Sequence, residues 1–219
     1  MNTDGYVPLA LLLRHPAFGG YTIEDICDLT RTDPKQRYKI VKGENANLHI
    51  RAQNGHGYMT PVRIKHAAVS PEDLPNEVTH CSLKVNLADI LSRGIESRSR
   101  QYVHLIDRVP APGECIPGMR GECDVAIFID TKFAASMGVK FYRAENGVLM
   151  ARTEGEFHRP KGIPPTAIRE VREYPSGKRI YPTKPGEYIA LPEWGRRTRG
   201  PVFPHHYLPA RYHFRAGRK

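Results

Sequence analysis

Apolar residues in this chain come in short runs closed off by glycine, proline or charge. The strongest, Asp124 to Ile129, spans only six positions. Runs of that length suit strands and one-turn or two-turn helices, and they exclude long helical bundles. None approaches the roughly 18 apolar residues that a membrane helix needs, and Leu9 to Leu13 stops at Arg14-His15. The expectation is a soluble, unsecreted α+β protein of the cytoplasm or nucleus, with no membrane partner and monomeric.

Pro8 to His15 reads as a short helix with proline in its first turn and two basic groups at its end, where the helix dipole favours cations. Tyr21 to Leu29 reads as a brief strand and a short helix. Arg37 to Val41 and Leu48 to Ala52 then form a hairpin, and Gln53-Asn54-Gly55-His56 follows as a polar loop. Residues 1–60 thus make a small lobe resembling a winged helix, and 61–76 a connector. In a second lobe, 77–151, strands are expected at Val78 to Ser82, Val103 to Ile106 and Asp124 to Ile129. Helices fall at Leu87 to Ser92, closed by Gly94, and Lys132 to Met137. A hairpin turns at Glu145-Asn146-Gly147.

The net charge of +10 lies almost entirely in the rest, 152–219, which holds fifteen Lys and Arg against six Asp and Glu, and ten of the nineteen prolines. This segment reads as a basic, proline-rich extension suited to an RNA backbone, with one hairpin at Ile168 to Tyr181. The four cysteines lack CxxC spacing, so neither a zinc site nor a disulfide framework is expected.

Arg14-His15, Arg51 and Gly118-Met119-Arg120 place guanidinium groups at a helix end or near glycines, where backbone approaches a ligand closely. Three arginines and a histidine can surround one phosphate dianion. Several motifs then occur in order: Leu13-Arg14-His15, Lys35-Gln36-Arg37-Tyr38, Arg51-Ala52-Gln53-Asn54-Gly55-His56 and His80-Cys81-Ser82. Arg100 to Leu105, Gly138 to Tyr142 and Asn146-Gly147-Val148-Leu149 complete the series. Over residues 9 to 151 the chain resembles the tRNA 2′-phosphotransferases.

The resemblance implies a winged-helix lobe carrying Arg14, His15 and Arg51, and an ADP-ribosyltransferase-like lobe that binds NAD⁺ and carries Arg120. It implies attack of an RNA 2′-phosphate on the nicotinamide ribose, expelling nicotinamide. A ribose hydroxyl then attacks the phosphorus, leaving 2′-hydroxyl RNA and ADP-ribose 1″,2″-cyclic phosphate, without a metal. His80, Ser82, Arg100 and His104 would line the NAD⁺ cleft, with Asn146 and Gly147 turning beside it. Cys81 stands where the family has glycine, Ser82 for threonine and Tyr102 for histidine, and little room is expected for a helix between Leu29 and Lys35. Two alternatives carry different outcomes: a non-catalytic RNA-binding protein with the same fold, and an ADP-ribosyltransferase for nucleic-acid terminal phosphates.

Overall fold

Thr22 decides the first departure from these expectations. Its hydroxyl accepts from the Asp25 amide at 3.1 Å while the Asp25 carboxylate accepts from the Thr22 amide at 2.8 Å. This capping box starts a helix at once, leaving no strand at Tyr21. The computed structural model, which describes residues 2–57, 59–153 and 162–182, carries that helix on to Thr32, and no second helix forms before Lys35.

The first lobe comprises β1 (Val7–Pro8), α1 (Leu9–Leu13), α2 (Ile23–Thr32), β2 (Tyr38–Lys42) and β3 (Leu48–Ala52), the strands pairing antiparallel in the order β1-β3-β2. Leu9, Ile26 and Ile50 form its core, with Leu12, Leu13 and Phe18 packed against them. Asp33 turns the chain from α2 into β2. Its carboxylate accepts from the Arg37 amide at 2.7 Å and pairs with the Arg37 guanidinium at 2.8 Å.

The second lobe is built on β4 (Ala67–Val69), β5 (Val78–Ser82), α3 (Leu87–Arg93), β6 (Ile95–Glu96), β7 (Val103–Leu105), β8 (Val125–Ile129), α4 (Thr131–Ser136), β9 (Val139–Arg143) and β10 (Leu149–Thr153). It continues with β11 (Gly162–Ile163), β12 (Ile168–Glu173) and β13 (Arg179–Tyr181). Two four-stranded antiparallel sheets, β4-β9-β10-β7 and β13-β12-β8-β5, share one core. Thr79 and Ile106 exchange backbone hydrogen bonds of 2.9 Å where the two sheets meet. Gly94 closes α3 with φ of 89°, and a side chain there would run into the Ile163 carbonyl as β6 pairs with β11.

Two boundaries need correction. The segment 61–76 is not only a connector, because β4 within it pairs with β9. Nor does the chain leave the fold at 152. β10 runs through that position, and β12 lies against β8 on the edge opposite β5, burying Ile163, Ala167 and Val171 completely. All five residues of β8 are buried, so it needs a partner on both edges. β12 looked like surface because charge interrupts it, yet Glu170 is 7% exposed and pairs with Arg172 at 2.6 Å and Arg179 at 3.0 Å. The hairpin expected between Ile168 and Tyr181 is present as β12 and β13. Residues 154–161 and 183–219, the rest of the expected extension, lie outside the described residues.

Candidate active site

A cleft of about 800 Å³ opens where the two lobes meet. It is lined by β5 and β7, two strands that present one histidine each from their middles. His80 donates through Nδ1 to the His104 carbonyl at 3.0 Å, which leaves its Nε2 as an acceptor. At His104 the polarity reverses: Arg100 lies 3.4 Å from Nδ1, so Nδ1 accepts and Nε2 carries the proton. Burial holds both imidazoles neutral, with the nearby cations acting the same way, and it takes His104 down to about 4. The cleft therefore has one fixed acceptor and one fixed donor, a pairing suited to sugar hydroxyls.

Ser82 and Cys81, both buried, also line the cleft. Burial and the adjoining Cys123 thiol push Cys81 up to about 12, so it stays a neutral thiol and no nucleophile. Tyr102 also lines the cleft, its ring edge-on to Tyr142 at 5.4 Å and under the Arg152 guanidinium at 5.2 Å. Arg120 enters on the loop that begins at Gly118, whose φ of 86° and approach to the Leu105 carbonyl, 2.7 Å from where a Cβ would stand, require glycine. From the first lobe, Lys35 donates to the Met119 carbonyl in the same loop at 3.0 Å. Asn146 joins the lobes a second time, accepting from Asn54 at 3.2 Å and donating to the Gln36 carbonyl at 3.1 Å.

Of the ten residues singled out from the sequence, His80, Ser82, Arg100, His104, Arg120 and Asn146 line this cleft. Gly147 does not; it forms the hairpin turn, with φ of 82°. Arg14 caps α1 at its C-terminus and is exposed, and His15 caps the following 3₁₀ turn by accepting from the Ala17 amide at 3.2 Å. Arg51 is 8% exposed. Strand alternation sends it and its neighbour Lys39 to the sheet face opposite the cleft-lining Tyr38 and Ala52. There the guanidinium donates to the Asp4 carbonyl at 3.3 Å, lies over Tyr6 at 4.7 Å and pairs with Glu145 at 3.1 Å.

Sequence reasoning missed part of the wall. Arg93 and Arg98 line the cleft, as do Lys35 and Arg37 of the basic-aromatic motif, giving with Arg100 and Arg120 six cations against the carboxylates of Asp89 and Glu96. The run Ser97-Arg98-Ser99-Arg100 was the available signal for Arg98.

The two neutral histidines make stability depend on pH. Their folded values lie below the ordinary 6.5, so on acidification the unfolded chain takes up protons first. Stability should fall as pH drops from about 6.5 to about 4, the folded value of His104. Thermal melts across that window should show a shallower decline for His104→Gln than for the wild type; equal slopes would mean that His104 is not held neutral.

Among the described residues no helix is long and apolar enough to cross a membrane. A family model described as RNA 2′-phosphotransferase, Tpt1 / KptA family, matches residues 1–153. The tRNA 2′-phosphotransferase 1 of Danio rerio is 36% identical over 152 residues, covering 68% of each chain. Its Homo sapiens counterpart is 35% identical over 151 residues, 68% of this chain and 60% of that protein. A probable RNA 2′-phosphotransferase of Pyrococcus furiosus is 33% identical over 155 residues, 69% of this chain and 78% of that protein. The chain thus spans less than two thirds of the human relative's length. With the family match covering the whole first lobe and the second through β10, this chain belongs to the RNA 2′-phosphotransferase, Tpt1 / KptA family.

Proposed function

We propose that this protein removes the splice-junction 2′-phosphate from tRNA by transferring it to NAD⁺, yielding 2′-hydroxyl RNA, nicotinamide and ADP-ribose 1″,2″-cyclic phosphate. The observation that supports this most is the inter-lobe cleft, which combines six cations with an acceptor and donor pair on His80 and His104. A dinucleotide needs both: cations for its diphosphate, and fixed hydrogen-bonding groups for its ribose hydroxyls. A volume of about 800 Å³ is in the upper part of the range for small-molecule sites. In this reading the first lobe is winged-helix-like and binds the RNA phosphate, and the second is ADP-ribosyltransferase-like and binds NAD⁺.

Arg100 and Arg120 neutralise phosphate charge from the second lobe, and Ser82, His80 and His104 orient the ribose. Arg14, His15 and Arg51 bring the RNA 2′-phosphate into line with the anomeric carbon, so that orientation accounts for much of the first step. In the second step a ribose hydroxyl attacks phosphorus, and guanidinium groups meet the charge that builds on the non-bridging oxygens.

The test is to mix the protein with NAD⁺ and an RNA bearing one internal 2′-phosphate. Nicotinamide together with ADP-ribose cyclic phosphate is the expected outcome. A stable ADP-ribosyl adduct would instead mark a transferase acting on nucleic-acid phosphates, and absence of both products a non-catalytic RNA-binding protein.

A further inference from the structure

Glu145 has no part in the function proposed above, yet it occupies one of that function's principal cations. It sits at the tip of the hairpin between β9 and β10, and one carboxylate oxygen, Oε2, lies 2.7 Å from Lys39 Nζ and 3.1 Å from Arg51 Nη2. Lys39 above all holds the Glu145 carboxyl below the ordinary range, so the group is an anion. Around it a site for an oxyanion is already built. Arg51 is more than nine-tenths buried, its Nε has no hydrogen-bond partner, and Lys39 stands beside it as its cross-strand neighbour. All three members flank the cleft wall in sequence, since Tyr38, Ala52 and Asn146 line it.

We propose that Glu145 is a built-in competitor for the substrate phosphate, holding Arg51 and Lys39 in the ligand-free protein and giving them up when an RNA 2′-phosphate arrives. Rigidity separates this from a bracing role. Arg51 keeps its place through the Asp4 carbonyl and the face of Tyr6, neither of which involves Glu145. The Glu145 side chain is 50% exposed, so water screens its bonds and they are cheap to break. A phosphomonoester brings close to two negative charges and three acceptor oxygens where the carboxylate brings one charge. Its oxygens can take over the bonds to Lys39 and to Arg51 Nη2 with the larger charge. RNA diesters, with a single charge shared by two non-bridging oxygens, gain far less by the exchange.

Removing the competitor should therefore favour the 2′-phosphate selectively. The inference rests on the proposed function, and two RNA probes keep the failures of the two apart. One is a short oligonucleotide with a single internal 2′-phosphate, the other the same oligonucleotide with a 2′-hydroxyl, each titrated against the full chain without NAD⁺. Glu145→Gln should bind the 2′-phosphorylated RNA about threefold to tenfold more tightly, leave the 2′-hydroxyl RNA unchanged, and be matched by wild-type behaviour in Glu145→Asp. Weaker binding of the phosphorylated probe by Glu145→Gln would make Glu145 a brace for Arg51 and overturn the proposal. An unchanged constant, or equal tightening of both probes, would overturn it too. If the wild type itself shows no preference between the probes, the phosphate-binding reading of this lobe fails and the proposal with it.

Discussion

Arg120→Ala and Arg51→Ala should each slow the second chemical step more than the first, so that RNA covalently joined to ADP-ribose accumulates in place of product. The first step needs a phosphate aimed at a carbon that loses nicotinamide readily, and neighbouring groups can still supply that aim. In the second step charge grows on the phosphate oxygens themselves, and deleting one preorganised charged donor from such a site costs about 10²–10³ in rate. The two variants should differ in detail, because Arg120 stands on the cleft wall whereas Arg51 is held aside by Glu145. Arg14→Ala and His15→Ala, which alter exposed groups at the end of α1, should depress both steps with less adduct. A gel time course resolving substrate, adduct and product separates these outcomes. Uniform slowing without adduct in both Arg51→Ala and Arg120→Ala would refute the division of roles, and wild-type rates in both would refute the site.

A chain ended after residue 159 should not fold its second lobe. It would lose β11, β12 and β13, and with them the partner of β8 along one whole edge. Ile163, Ile168 and Val171 together contribute roughly 5–9 kcal/mol at about 1.5–3 kcal/mol for each buried side chain, which is the size of a typical domain's entire stability. Urea unfolding followed by near-UV circular dichroism should show no cooperative transition from the second lobe. A transition at the wild-type midpoint would mean that β12 is dispensable. The same experiment decides how any loss of RNA binding on truncation is to be read, since an unfolded lobe cannot report on the charge of the missing segment.

What the sequence disclosed followed from local rules. β5 was legible to the residue, Val78 to Ser82, and β8, whose five residues are all apolar, to within one position. Gly94 marked the end of α3, and the two histidines fell on strands that meet in the cleft. β12 was expected as half of a hairpin, but its packing against β8 was not legible, because its buried charge, Glu170, is neutralised by Arg172 and by Arg179 on the next strand, and only the second of these pairings depends on the fold. Glu145 was read as a turn residue. Its partners are Lys39 and Arg51, about a hundred positions away, and no local pattern signals a contact of that range. The withdrawal of Arg51 from the cleft wall has the same origin, since strand alternation alone could not say which face of β3 the second lobe would cover.

The place of β12 beside β8 also bears on synthesis. β8 is complete when Ile129 has been made, but the strand that covers its second edge ends only at Glu173. At 5–20 residues per second, roughly two to nine seconds separate the two events. During that interval a wholly apolar strand has an open row of amide and carbonyl groups, the kind of edge that pairs with a neighbouring chain. The first lobe, whose strands all lie before residue 53, can finish folding on the ribosome well before this, while the second passes through its most aggregation-prone state during translation.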